Sequence, residues 1–172
     1  MAGCVWLWLC VAVCGCGSVP VGVYVRLCVC VTPTCDVSPP QLADVFCPNE
    51  TEAALITGLP TETDDEIVVA ARALLRRGAR SVLMTLGERG VLLVGGDDAE
   101  QTIHIPGRDV QAIDTSGAGD SFLGSFSAFL ALGLDAPEAM RRAVYVAGES
   151  VQGRGTQASF KGRAELPESL FA

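Results

Sequence analysis

No cysteine occurs after Cys47, and the whole 172-residue chain holds one histidine, His104. The eight cysteines, Cys4, Cys10, Cys14, Cys16, Cys28, Cys30, Cys35 and Cys47, are confined to the start. Their pairs, Cys14-x-Cys16 and Cys28-x-Cys30, have the wrong spacing for zinc fingers or ribbons, so a structural zinc domain is not expected. Charge is missing from the same region: residues 1–43 carry Arg26 and Asp36 and contain no Asn, Lys, Glu or His. No Lys or Arg precedes the apolar stretch Val5 to Cys16, so the basic leader of a secretory signal is absent. Nor is there an uninterrupted membrane span, which needs ~20 apolar residues, because Gly15, Gly17, Ser18 and Pro20 break the run. Positive charge is scarce throughout, with 12 basic against 20 acidic residues and a formal net charge of -8. A broad electrostatic surface for nucleic acid or anionic lipid is thereby excluded.

What remains is an ordinary globular composition, 49% hydrophobic with 19 glycines, at the length of one domain with an appendage. The composition divides it into residues 1–43, apolar and Cys-rich, and residues 44–172, with a boundary near Pro39-Pro40. In the first part Val21 to Val31 is β-branched and alternating, which predicts a strand with incidental thiols. In the second part Asn49 followed by Glu52 predicts a capped short helix ended by Gly58-Leu59-Pro60. Thr63 caps a second helix with Asp64, Asp65 and Glu66 in its first turn, closed by Arg76, Arg77 and Gly78. Ser81 to Leu86, Val91 to Val94, Thr102 to Ile105 and Val110 to Ile113 read as strands, with turns at Gly87–Gly90 and at Gly95-Gly96-Asp97-Asp98. An apolar helix then runs to Leu132 and Gly133, and Asp135 with Pro137 begins the last long one.

The chemistry concentrates in Asp114-Thr115-Ser116-Gly117-Ala118-Gly119-Asp120. A strand, a small-residue loop and a helix N-terminus form an anion cradle, because free backbone N–H groups point at the ligand and glycine admits close approach. A carboxylate beside a phosphate repels it unless it has a task, and proton abstraction from an attacking hydroxyl is such a task. Spacing alone leaves Asp120 divided evenly between general base and simple helix cap. The loop is neither a Walker A motif, which requires Gly-Lys-Ser/Thr, nor a Rossmann fingerprint.

This loop, extended through Ser121, Phe122 and Gly124, closely resembles the signature of the ribokinase family of ATP-dependent sugar kinases. Further likenesses follow in family order: Asp44-Val45-Phe46-Cys47-Pro48-Asn49-Glu50-Thr51-Glu52, Thr85-Leu86-Gly87-Glu88-Arg89-Gly90, Gly153-Arg154-Gly155-Thr156-Gln157-Ala158-Ser159, and the closing Leu166-Pro167-Glu168-Ser169-Leu170-Phe171. The resemblance covers roughly residues 41–172. It implies a Rossmann-like three-layer α/β/α ribokinase-like fold and the reaction of ATP with D-ribose to give ADP and D-ribose 5-phosphate. It implies Asp120 as the base and Gly117, Ala118 and Gly119 as the anion hole. Asn49 and Glu52 would help place Mg2+ and the phosphates, a role the capping box does not separate from its own. Thr85, Gly87, Glu88, Arg89 and Gly90 would line the nucleotide pocket. Asp114, Ser116, Ser150, Gly153, Gly155 and Ser159 would enclose K+, mostly through backbone oxygens.

Departures set further expectations. The family's Gly-Gly-x-x-x-Asn-type sugar motif and its β-sheet lid have no counterpart, so the fold is expected to be incomplete at the N-terminus and residues 1–43 foreign to the family. Val144 stands where a polar residue near the adenine is usual. The family's homodimer is not expected to persist, self-association is, and the resemblance places the enzyme in the cytoplasm with the nucleus open.

Overall fold

The computed structural model describes residues 5–9, 25–29, 44–96, 98 and 100–171, and of the first two stretches the backbone only. Pro39-Pro40, Asp97, six of the cysteines, both ends of the Val21–Val31 segment and residues 10–16 of the Val5–Cys16 segment lie outside the described residues. Six strands form one mixed sheet in chain order: β1 (Val5–Leu9), β2 (Val25–Val29), β3 (Val45–Phe46), β4 (Ser81–Thr85), β5 (Val91–Gly95) and β6 (Thr102–Ile105). The expected strand in the apolar segment therefore exists. It runs parallel to β3, with Leu27 opposite Val45 and Cys28 opposite Phe46, while β1 pairs with it antiparallel from Val5 opposite Val29 to Leu9 opposite Val25. β3 and β4 are parallel, and β4 and β5 antiparallel from Ser81 opposite Gly95 to Thr85 opposite Val91.

Among the described residues four α-helices accompany the strands, α1 (Glu50–Thr57), α2 (Asp64–Arg76), α3 (Ala118–Ala131) and α4 (Ala136–Ser150). Three start where local chemistry places them. Asn49 and Glu52 make a reciprocal capping box, Thr63 and Glu66 make a second, and Asp135 caps α4 by accepting from the Glu138 N–H. The described chain divides into two compact units, Met1–Leu86 with Val91–His104, and Gly87–Gly90 with Ile105–Ala172.

In the first unit α2 buries Ile67, Ala70, Ala71 and Leu74, a stripe at helical spacing. This stripe joins Phe46, Ala53, Val82, Met84, Leu86, Leu92 and Val94 in one core. β4 and β5 are buried on both faces apart from Thr85, which is why their sequences are continuous apolar runs rather than alternations. Cys47 lies buried beside this core, where desolvation, reinforced by the Glu52 charge, pushes its thiol up to about 12. A thiol held neutral in this way is a small hydrophobe, not a nucleophile.

In the second unit α3 and α4 pack together. α3 buries Phe122, Leu123, Phe126 and Phe129, α4 buries Ala139, Met140, Ala143 and Val144, and the Phe122 and Phe126 rings stack 5.9 Å apart. The C-terminal residues return to this pair: Phe171 lies 5.8 Å from Phe129, and Arg142 donates to the Leu170 carbonyl at 2.5 Å.

One expectation fails. Val110 to Ile113 is not a strand. The Ile113 N–H donates to the Val151 carbonyl at 2.8 Å, the Asp114 N–H to the same oxygen at 3.1 Å, and the Ile113 side chain is exposed. The β-branched pattern suited a strand, but the carbonyl at the end of α4 takes the donors that a neighbouring strand would have used. Among the described residues no helix is long and apolar enough to cross a membrane.

Candidate active site

The loop from Asp114 to Asp120 is built by its own backbone. Gly117 sits at the N-cap of α3 with φ 79, a left-handed conformation that side chains other than glycine rarely accept. A Cβ there would also approach the Phe160 ring to 3.2 Å and the Thr156 Cβ to 3.3 Å. The glycine thus serves both the turn and the close packing of the 156–160 segment against it. Because the first turn of a helix has no intrahelical acceptors for its N–H groups, α3 presents donors at this end. The Ala118 N–H is already engaged by the Thr115 carbonyl at 3.2 Å, and the first intrahelical bond is Ser121 N–H to the Gly117 carbonyl at 2.8 Å. The N–H groups of Gly119 and Asp120 fall between these two and remain directed out of the helix end. Of the three residues expected to supply donors, Ala118 thus has its N–H engaged within the loop.

Asp120 lies in the first turn of α3, exposed. Its carboxylate does not cap the helix, since the N-cap position belongs to Gly117 and no side chain bonds there. The reading of Asp120 as a simple cap is not what the geometry provides.

Asp114 ties two loops together. Its Oδ1 accepts from the Ser116 N–H and its Oδ2 from the Gly155 N–H, both at 2.9 Å. These bonds, first Ser116 and then Gly155, with the Ser116 hydroxyl and the Arg154 charge adding to them, hold the carboxyl below its ordinary range despite some desolvation. Gly153 packs so closely that a Cβ would stand 3.0 Å from the Ser159 Cβ, and its N–H donates to the Ser150 carbonyl at 3.3 Å. Ser150 and Ser159 are buried, their hydroxyls donating to the carbonyls of Ala147 and Thr156 at 2.8 Å. The residues expected around a monovalent cation are thus drawn into two facing loops, with Asp114 as the single carboxylate. Among the described residues no three His, Cys, Asp or Glu side chains gather into a metal site. A cation here would depend on carbonyl and hydroxyl oxygens plus one carboxylate, a donor set suited to a large hard ion.

The segment expected to line the nucleotide pocket divides between the units. Thr85 ends β4 in the first unit, where its N–H donates to the Pro48 carbonyl at 3.1 Å and it bridges to Asn49 in parallel. Asn49, Glu52 and Thr85 are therefore neighbours, a relation that no spacing in the sequence revealed. Glu52 Oε2 accepts from the Asn49 N–H at 2.9 Å and Asn49 Oδ1 from the Glu52 N–H at 2.8 Å. Glu52 keeps its second oxygen, and the pair is chemically fit to orient a hydrated divalent cation.

In the second unit Gly87–Arg89 form one 3₁₀ turn, closed by the Gly90 N–H on the Gly87 carbonyl at 3.1 Å. A Cβ on Gly90 would fall 2.1 Å from the Ile105 carbonyl oxygen, and one on Gly107 would fall 2.2 Å from that of Glu88. Two backbones are in contact, and side chains are shut out. Gly107 is a residue the motif did not include. Its signal was present only as a glycine after Pro106, without a partner to explain it. Val144, where a polar group was expected, is buried in α4.

The pfkB family carbohydrate kinase pattern matches residues 35–162. The Salmonella typhi deoxyribokinase is 42% identical over 127 residues, which cover 74% of this chain and 40% of that protein. The mouse ribokinase is 39% identical over 132 residues, 76% of this chain and 41% of its own length. The structure of Arabidopsis thaliana ribokinase complexed with ribose and ATP superposes with a TM-score of 0.75 at 30% identity, covering 81% of this chain and 45% of that one. The chain spans about 40% of the length of the curated relatives it matches. The fold is the ribokinase-like α/β fold, and the chain belongs to the PfkB family of carbohydrate kinases.

Proposed function

We propose that this chain carries the nucleotide-binding and catalytic machinery for transfer of the γ-phosphoryl group of ATP to the primary hydroxyl of D-ribose, giving ADP and D-ribose 5-phosphate. The observation that carries the reading is Asp120 itself: an exposed carboxylate in the first turn of α3 that caps nothing, beside backbone donors left open at the helix end. Asp120 takes the hydroxyl proton as the sugar oxygen bonds to the γ-phosphorus, and the bond from that phosphorus to the β,γ-bridging oxygen breaks, leaving ADP. The N–H groups at the start of α3 face the charge that gathers on the transferred oxygens, where catalysis of phosphoryl transfer mainly resides. Asn49 and Glu52 would hold Mg2+ through water, and the ion would neutralise phosphate charge. The loops joined by Asp114 would hold K+ and keep Gly117–Gly119 in place. Gly87–Gly90 would receive the ribose and adenine of ATP. Residues 44–172 form the kinase part.

Two relatives named for different sugars, ribose and deoxyribose, match at similar identity, and both substrates offer the same primary hydroxyl. A second reading, nucleotide binding without transfer, is favoured by residues 1–43, whose shortage of polar side chains leaves few groups to hold a sugar.

Calorimetry with ADP, ribose and 2-deoxyribose in turn, followed by a coupled ADP-release assay, tests both. ADP binding with sugar-dependent turnover is expected from the first reading, and ADP binding with neither sugar bound is the result of the second. Where turnover is present, Asp120→Asn should lower it by ~10²–10⁴-fold, the usual loss for a general base, with ADP affinity kept. A variant that turns over as fast as the parent would return Asp120 to a structural role.

A further inference from the structure

A cluster that the family signatures do not contain joins Arg108 to α4. Arg108 Nη1 donates to Glu149 Oε1 at 2.7 Å and to the Tyr145 carbonyl at 3.3 Å. Its guanidinium lies over the Tyr145 ring, 3.9 Å from the centroid. Gly148 makes room for it: a Cβ there would stand 3.3 Å from Arg108 Cδ. Tyr145, Gly148 and Glu149 share one face of α4 at spacings of three and four, and Arg108 lies along that face. The pair is half-buried, with side-chain exposures of 32% and 27%, so it is less screened than a surface ion pair and keeps a defined geometry.

The position of Arg108 gives the cluster its consequence. It follows Gly107 directly, and Gly107 and Ile105 are the backbones against which Glu88 and Gly90 are packed. A rigid path therefore runs from α4 through Arg108 to the Ile105–Gly107 backbone and on to the Gly87–Gly90 turn. The Asp114–Asp120 loop meets the end of α4 through other bonds: the Ile113 and Asp114 N–H groups donate to the Val151 carbonyl, and the Asp114 carboxylate accepts from the Gly155 N–H.

We propose that Arg108 is a positioning residue that, clamped by Tyr145 and Glu149, orders the Gly87–Gly90 turn and thereby sets nucleotide affinity without acting on the catalytic loop. The proposal rests on reading that turn as part of the nucleotide site.

The test uses the 172-residue chain and its Arg108→Met, Glu149→Gln and Arg108→Lys variants. Amide hydrogen exchange and calorimetric ADP titration are measured on each. Loss of the clamp should speed exchange at Gly87–Gly90 by about two- to thirtyfold, the size of effect that changes along a packed network have, with α3 amides unchanged. ADP affinity should fall by a similar factor. Arg108→Lys, which keeps the ion pair but not the planar stack, should lie between parent and Arg108→Met. Unchanged exchange at the turn in both Arg108→Met and Glu149→Gln overturns the proposal, as does acceleration spread evenly over the chain, which marks a merely structural role. Local acceleration with unchanged ADP affinity overturns the step from turn to nucleotide. A parent chain that binds no ADP, yet shows the local acceleration on mutation, removes the nucleotide reading and leaves the clamp.

Discussion

Replacing Gly90 with alanine puts a methyl group where three backbone atoms already stand: the Ile105 oxygen at 2.1 Å, the Gly107 nitrogen at 2.4 Å and the Pro106 carbonyl carbon at 2.6 Å. Two costs add. With φ 94 the residue is in a region that L side chains rarely adopt, a penalty of roughly 1–2 kcal/mol. The second is steric, and because the obstructing atoms are backbone, they cannot rotate away as a flexible side chain would. Separating the turn from Ile105–Gly107 by about 1 Å resembles overpacking a core, which costs about 1–3 kcal/mol. The expected total is about 2–5 kcal/mol. For a chain of 172 residues each kcal/mol moves the melting temperature by roughly 2–4 °C, so a fall of about 10 °C is a central expectation.

Gly58→Ala is the control. Its φ of 75 imposes the conformational penalty, but nothing lies within 4 Å of the added carbon. Thermal unfolding by circular dichroism, with urea unfolding to give the slope, compares the two variants. The difference between them isolates the backbone contact. If Gly90→Ala melts within a degree of Gly58→Ala, the 87–90 turn is not pressed against Ile105–Gly107 in solution. Both the steric reasoning and the path through Gly107 to Arg108 would then be withdrawn.

Two other outcomes follow from Asp114 and its neighbours. If Asp114 and the Ser150–Ser159 loop hold K+, potassium should raise ADP affinity and melting temperature relative to tetramethylammonium at equal ionic strength, by linkage of ion binding to the folded state. Identical values in the two salts would remove the cation. Asp114 also makes stability depend on acid: its folded pKa is lowered by the Ser116 and Gly155 N–H groups, so its contribution is full above the ordinary aspartate value and is lost as pH falls through the depressed one. Asp114→Asn should therefore melt lower than the parent at neutral pH and converge with it in strong acid, whereas a constant offset at every pH would refute the assignment.

Much of this molecule was legible without coordinates, and the legible parts share a cause. Asn49 with Glu52, Thr63 and Asp135 each act on a backbone N–H three residues away, so the helix starts are fixed by neighbours in the chain. The apolar runs at Ser81–Thr85 and Val91–Gly95 are strands because both faces are buried, and their composition records this. The loop at Asp114–Asp120 was recognisable because its small residues follow one another directly in the chain, with Gly117 supplying the left-handed turn at the start of α3.

Other features depend on residues far apart in sequence. Val110 to Ile113 had the composition of a strand, but the Ile113 N–H donates to the Val151 carbonyl, 38 positions further on, and composition cannot register that pairing. The bond between Asp114 and Gly155 and that between Arg108 and Glu149 each span 41 positions. Gly107 and Gly90 each look like a turn glycine until the two backbones are brought together. Residues 25–29 announced a strand, yet only tertiary structure decided that its neighbour would be Val45–Phe46 and that the two would run parallel. Local hydrogen bonds and burial periodicity are written in neighbouring residues, whereas pairings between distant segments are selected by the free energy of the whole packed chain, and no short window of sequence contains that choice.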